Sequence, residues 1–496
     1  MIEGSSQNLE SYVDQDQIEL NDLGTRERVE RRPPFEYKTS EMDVAVDQRS
    51  LAALEIEKEQ RLEDGDNDLQ SPESPGHMTY TNPPGNLFRV IVACIWAFSL
   101  GCSDGSVGVL LNYIEEQYNI SYSVASILWL SNALGYIIVA TLASTIENKL
   151  GRKSLVVGCL SSMLMYTLVS TGSKYPLIVI GFFFGGVGVG ICVSQLNVFV
   201  SRLEKSSTAL GYFHGSYGLG ASVSPLIATA YVEAGIKWNY FYLILLGLMI
   251  INSITCYIGF VRGEEALKPW YAVEESGDEN AEDSTAKQNL MKEALKNRMT
   301  WLTSFFVLFY QGAEVAIGGW VTTYLRDYRN NKSASIGYVA SGYWFGVTFG
   351  RLVLTRLIHK VIGARRGNVI LALLAILFAI LTWAIPSLPI EILAITLGGI
   401  AIGPVYPLMI TYVVSDGLLP RKIQVISMTI TTAFGSSGGA IFPFLVGLVS
   451  QFAGAYIVFP MFIAMFTSVI VLWLLIPNTN KRKGYLSKFG FLNQIW

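Results

Sequence analysis

From residue 87 onward, apolar runs of bilayer-spanning length alternate with short polar breaks. Twelve runs are counted, at about 87–113, 122–145, 154–171, 175–201, 208–233, 238–262, 299–326, 335–359, 367–385, 388–414, 422–449 and 454–477. A helix rising 1.5 Å per residue needs roughly 20 apolar residues to cross a hydrocarbon core. Most of the runs reach that length. The pattern predicts an all-α membrane protein of twelve transmembrane helices.

Polar stretches divide this pattern into domains. Residues 1–86 hold 20 of the 39 Asp and Glu but 8 of the 36 Lys and Arg, a formal charge of −12. With no apolar run to bury, they read as a disordered acidic cytosolic tail. Met1 is not followed by a charged-then-apolar leader, so no cleavable signal peptide is expected. Residues 263–298, containing EESGDENAEDSTAK, read as a cytosolic linker. They separate a six-helix bundle at 87–262 from another at 299–478, and 479–496 form a cytosolic C-terminal tail. With twelve spans, both termini share one side. The short loops and C-tail on that side carry 15 Lys and Arg, against 5 on the other. The bias places both termini in the cytosol, in the plasma membrane or a vacuolar or other internal membrane. The sequons at Asn119 and Asn331 then face outward on loops too short to favour glycosylation. Ser71-Pro72 and Ser74-Pro75 are candidate phosphosites in the tail.

The halves resemble each other. Gly220-Ala-Ser-Val-Ser-Pro225 in span five parallels Gly438-Gly-Ala-Ile-Phe-Pro443 in span eleven, and Gly135 in span two parallels Gly346 in span eight. Repeated halves with a site at their interface are typical of secondary carriers.

Two spans carry a mid-membrane acid. In QGAEVAIGGW, residues 311–320, Glu314 falls near the middle of its span. A carboxylate there costs about 2.5–3.5 kcal/mol on insertion scales, so it marks a functional position. Gln311, Glu314, Gly318 and Thr322 share one helical face, which is expected to turn inward. In span one, Asp104 lies between Gly101 and Gly108 on a face that a neighbouring helix can approach closely. Burial raises a carboxyl's pKa toward physiological pH, so both acids are candidates for proton coupling. For Glu314 the reading is a residue lining a water- or substrate-filled cavity. The alternative is a fixed ion pair, with Arg351 of span eight as partner.

Gln195, Asn197, His214, Tyr217, Gln311, Trp320 and Tyr324 offer uncharged donors, acceptors and rings for a sugar-like substrate. The five cysteines sit in spans of the first half without CxxC spacing, so neither a disulfide nor a zinc site is expected. The glycines at 185, 186, 188 and 190 lie mid-helix with no preceding strand and read as packing positions. No GxxxxGK[ST] or HExxH motif occurs, so ATP-driven transport and metal hydrolysis are not supported. No cofactor, metal or nucleic acid is expected as a partner. The expected partners are a small-molecule substrate, protons and the bilayer, and the expected state is a monomer.

The loop ENKLGRKS after span two resembles the Asp-Arg-x-Gly-Arg-Arg signature of the major facilitator superfamily. Asn148 stands at the acidic position, followed by Lys149, Gly151, Arg152 and Lys153, with Glu147 adjacent. SLGCSDGSVGVLL in span one, GAEVAIGGW in span seven and GPVYP at 403–407 resemble the fucose-permease-like group, especially its fungal members. The resemblance covers about residues 87–477. It implies two pseudo-symmetric six-helix bundles, a central site and proton-coupled alternating access. It also implies a gating role for the signature loop, to which Arg351 is added. The bacterial sugar permease of this group has a second acid in span four. Here that span has Gln195, Asn197 and no acid, so Glu314 is expected to take its place. The expected function is transport of a small neutral solute, without enzymatic activity. The rivals are proton-coupled efflux of amphiphiles and a non-transporting membrane sensor or scaffold.

Overall fold

The computed structural model describes residues 78–275, 281–415 and 418–478. The Ser-Pro pairs, most of the acidic tail and the basic C-terminal tail lie outside them. Among the described residues, twelve main helices build two bundles. In the first half they are α1 Asn86–Tyr118, α2 Ile127–Leu150, α3 Lys153–Ser170, α4 Tyr175–Ser201, α5 Ser206–Glu233 and α6 Phe241–Cys256. In the second they are α7 Arg298–Thr323, α8 Gly337–Phe349, α9 Ala364–Ala384, α10 Leu388–Ile402, α11 Arg421–Ala453 and α12 Val458–Leu475.

Ten spans among the described residues are long and apolar enough to cross a membrane. The two helices that fall short, α5 and α8, pack against each other across the halves. α5 is rich in Gly, Ser and Tyr. α8 is interrupted by a π-turn, Gly350–Leu354, before a final short helix, Thr355–Val361.

One expectation needs correction. The tail does not stay free of the bundle up to residue 86. Met78 is buried and its carbonyl accepts from Glu204 N at 2.8 Å, while Pro84 O accepts from Arg89 Nη1 of the first helix at 3.0 Å. The linker residues hold two helices, Glu264–Glu275 and Ala281–Lys296. Lys422 Nζ ties the second to α11 through Glu293 Oε1 at 2.6 Å.

Within each half, the first and fifth helices approach almost backbone to backbone. A Cβ at Gly220 of α5 would collide with the Phe98 carbonyl of α1, and one at Gly438 of α11 with the Leu308 carbonyl of α7. These glycines are the repeat-related pair.

While α5 and α8 stay in contact farther along, Gly218 at Thr348 and Gly215 at Leu352, the halves meet most extensively at one end. There α1 meets α7, where Thr323 Oγ1 donates to Asn112 Oδ1 at 2.8 Å and Thr322 bonds the Gly108 carbonyl. Tyr122 OH donates to Asp327 Oδ2 at 2.6 Å, and Arg326 pairs with Glu116 at 3.1 Å. Tyr338 OH donates to Glu233 Oε2 at 2.7 Å. α2 begins against α11, with Ser126 at Gly447. At the opposite end, where the basic loops lie, Thr141, Leu142 and Ala143 of α2 and Val425, Thr429 and Thr432 of α11 are exposed. The molecule is closed at the end away from the basic loops.

Candidate functional site

Asp104 is exposed although its neighbours Ser103 and Gly105 are buried. It sits midway along α1, on the side that packs α5. There a Cβ at Gly105 would strike the backbone of Ala221. An exposed carboxylate at that depth, between helices rather than on the outer surface, faces the space between the halves. Tyr217 of α5 donates its hydroxyl to Asp104 Oδ2 at 3.0 Å.

Glu314 is placed differently. It is 5% exposed, so it does not line an open cavity in this conformation. Arg351 Nη2 donates to Oε1 at 2.6 Å and Oε2 at 2.5 Å. The fixed-pair alternative describes this arrangement. The physical reason is local: the π-turn at Gly350–Leu354 re-aims Arg351 on α8 toward α7, and such turns recur at functional sites. Tyrosines complete the shell. Tyr310 OH lies 3.1 Å from Arg351 Nη2, and Tyr343 OH donates to the Glu314 carbonyl at 2.8 Å. Tyr406 stacks on Tyr310 at 6.0 Å and 15°. Tyr406 reaches this position because α10 breaks at Gly403-Pro404 and restarts at Val405–Ile410. The GPVYP motif therefore presents a ring to the ion pair.

Tyr217 joins the two acids. Its hydroxyl bonds Asp104 and lies in the electrostatic field of Glu314 and Arg351. His214, one turn earlier on α5, is exposed and lies within reach of the Arg351 charge.

Several other sequence candidates lie elsewhere. Gln195 accepts from Arg152 Nη1 at 2.7 Å, so it anchors the loop after α2 rather than facing the centre. Asn197 sits half-buried two residues on, toward the same end of α4. Gln311 packs against Gly435 and Gly439 of α11. Trp320 is fully buried at the closed end, donating to Pro443 O at 2.9 Å with Trp129 of the other half at 5.6 Å. Tyr324 is fully buried, and its hydroxyl donates to Thr382 O at 3.2 Å. Trp320 and Tyr324 cannot touch a solute here; Trp320 belongs to the closure and Tyr324 to the second half's core. In the signature loop, Glu147, Asn148, Lys149 and Lys153 are exposed. Gly151 turns the chain at φ +49°, and Arg152 is buried. Arg351 stands apart from this loop, on Glu314.

Tyr310, Tyr343 and Tyr406 were missed because tyrosines are common in spans. The usable signal was position: Tyr406 sits inside GPVYP and Tyr310 precedes Gln311. Among the described residues no group of three or more His, Cys, Asp or Glu is disposed to hold a metal ion.

A family model described as Major Facilitator Superfamily matches residues 93–415. "Bypass of stop codon protein 6" of Saccharomyces cerevisiae is 28% identical over 401 residues, covering 76% of this chain and 80% of that protein. The glucose/mannose transporter of Bacillus subtilis is 21% identical over 355 residues, covering 71% of this chain and 85% of its own. The crystal structure of a D-xylose–proton symporter superposes with a TM-score of 0.62 at 13% identity, over 80% of this chain and 99% of that one.

Proposed function

Given that this chain belongs to the major facilitator superfamily, a family of multi-pass membrane carriers, we propose that it moves a small neutral, sugar-like solute together with a proton. Alternating access of the two halves would expose one central site to each side in turn. The observation that carries this reading is the exposed Asp104 between the halves, held by Tyr217, whose hydroxyl also lies in the field of the Glu314–Arg351 pair. A carboxylate open to solvent from one side can exchange a proton there, and its protonation changes the charge of the site. Lys and Arg bias makes the closed end external and this conformation inward-facing. The sugar-like substrate is supported by the glucose/mannose transporter among the relatives.

Proteoliposome uptake tests the reading. With an inward proton gradient, D-glucose, D-mannose or D-xylose should accumulate. Collapsing the gradient should abolish accumulation, and Asp104→Asn should transport without responding to it. Uptake that ignores the gradient in the unaltered protein would overturn proton coupling. Extrusion of varied amphiphiles with no sugar uptake would replace symport with efflux.

A further inference from the structure

Part of the Arg351 guanidinium is unspent. Nη2 serves Glu314 and Tyr310, whereas Nη1 bonds nothing among the described residues, and Nε is buried without an acceptor. The Arg351 side chain keeps 26% of its surface open, against 6% for Glu314. It stands where α8 meets α5 of the other half. Thr348, one turn earlier, would block a Cβ at Gly218, and Leu352 lies against Gly215. Tyr217 and His214 share the field of the guanidinium. An arginine recruited only to neutralise Glu314 would gain from filling its remaining donors with backbone carbonyls, as Arg89 and Arg329 do. A buried donor left unmet is costly and calls for an explanation.

We propose that Arg351 is a substrate-binding residue, donating through Nη1 to hydroxyl oxygens of the solute, and that Glu314 cancels its charge so that the site selects uncharged polyols over carboxylates. This rests on the neutral-solute reading above and names the group that enforces it. The ion pair contributes no net charge, which leaves Asp104 as the uncompensated acid. A hydroxyl can donate to Asp104 and accept from Arg351, so one sugar satisfies both halves. An anionic solute would face Asp104 and find Arg351 already neutralised. Arginine suits the task because its planar fork keeps the remaining N–H groups in fixed directions while Nη2 is held.

The test is ligand binding to the purified full-length protein, read by calorimetry. The probes are D-glucose, D-mannose, D-xylose and myo-inositol, with D-gluconate as carboxylate counterpart. The unaltered protein should bind at least one neutral probe and not gluconate. Arg351→Lys, which keeps the charge and loses the fork, should weaken that binding about tenfold or more, the scale of a hydrogen bond to a charged donor. Glu314→Gln frees the arginine charge and should raise gluconate affinity relative to the neutral sugar by about tenfold or more. The double variant Glu314→Gln with Arg351→Gln leaves no charge unpaired, guards against misfolding, and should bind neither probe well. Unchanged sugar affinity in Arg351→Lys or in the double variant would overturn the inference, as would an unchanged gluconate preference in Glu314→Gln. If the unaltered protein binds no neutral probe, the neutral-solute reading itself fails. Binding of gluconate alone would overturn the selectivity assigned to Glu314.

Discussion

Asp104 and Glu314 occupy related places in the two halves and live in opposite environments. They lie 314 − 104 = 210 residues apart, on the first helix of each bundle. Asp104 is exposed and held by one tyrosine; Glu314 is buried and held by an arginine. The difference traces to the second helix of each half. Aligning Gly135 with Gly346 puts Ala140 opposite Arg351, so the first half has no guanidinium to offer. A repeated scaffold has given one acid a fixed counter-charge and left the other free. The free one suits proton exchange, and the paired one suits holding a donor in place.

The strongest way to break this contrast is to remove one member of the buried pair. Glu314→Ala should destabilise the fold by about 3–5 kcal/mol, because it strands the Arg351 charge. Thermal unfolding in detergent would register it, and the Glu314→Gln with Arg351→Gln double variant should recover most of the loss. Equal stability of Glu314→Ala and the unaltered protein would mean that the pair is not formed in solution.

Gly108→Val asks whether the contrast belongs to this conformation. A Cβ at Gly108 would collide with the Gly318 carbonyl across the α1–α7 contact. Overpacking of this kind costs about 1–3 kcal/mol, charged here against the closed state. Cysteine labelling near Thr323 should then rise, reporting an opened end; unchanged labelling would show that this contact does not hold the closure.

Tyr217→Phe should cost about 1 kcal/mol, the net worth of one hydrogen bond. It should also alter the pH profile of transport, which a merely structural tyrosine would leave in place. Asp104→Asn should change stability least, by under about 1 kcal/mol, since an exposed carboxylate carries little folding energy. Yet it should remove the response of transport to the proton gradient. A large stability loss in Asp104→Asn would make the two acids alike and dissolve the comparison.

The helices were legible because each span satisfies its own backbone and writes its hydrophobic length into consecutive residues. α4 begins and ends where its apolar run does, at Tyr175 and Ser201. The two acids were legible because charge is rare in such runs. Their partners were harder. Arg351 could be named as a possible mate for Glu314, but nothing local told an ion pair from a cavity-lining acid. Gln195 looked like a sugar ligand until Arg152, 43 residues away, took its carbonyl oxygen. Trp320 looked like a stacking platform until Trp129 and Pro443 enclosed it.

By itself the sequence determined the twelve spans, their division into related halves and the presence of two acids at membrane depth. These follow from a solvent that cannot bond to the backbone, so every span must close its hydrogen bonds within itself. The tertiary structure decided which acid is open and which is paired, which end is shut, and that Tyr310, Tyr343 and Tyr406 surround the ion pair. Those outcomes depend on how helices rotate and break against one another, as at the π-turn carrying Arg351 and the Gly403-Pro404 interruption before Tyr406. Such rotations are set by contacts between residues distant in the chain, which no local pattern records.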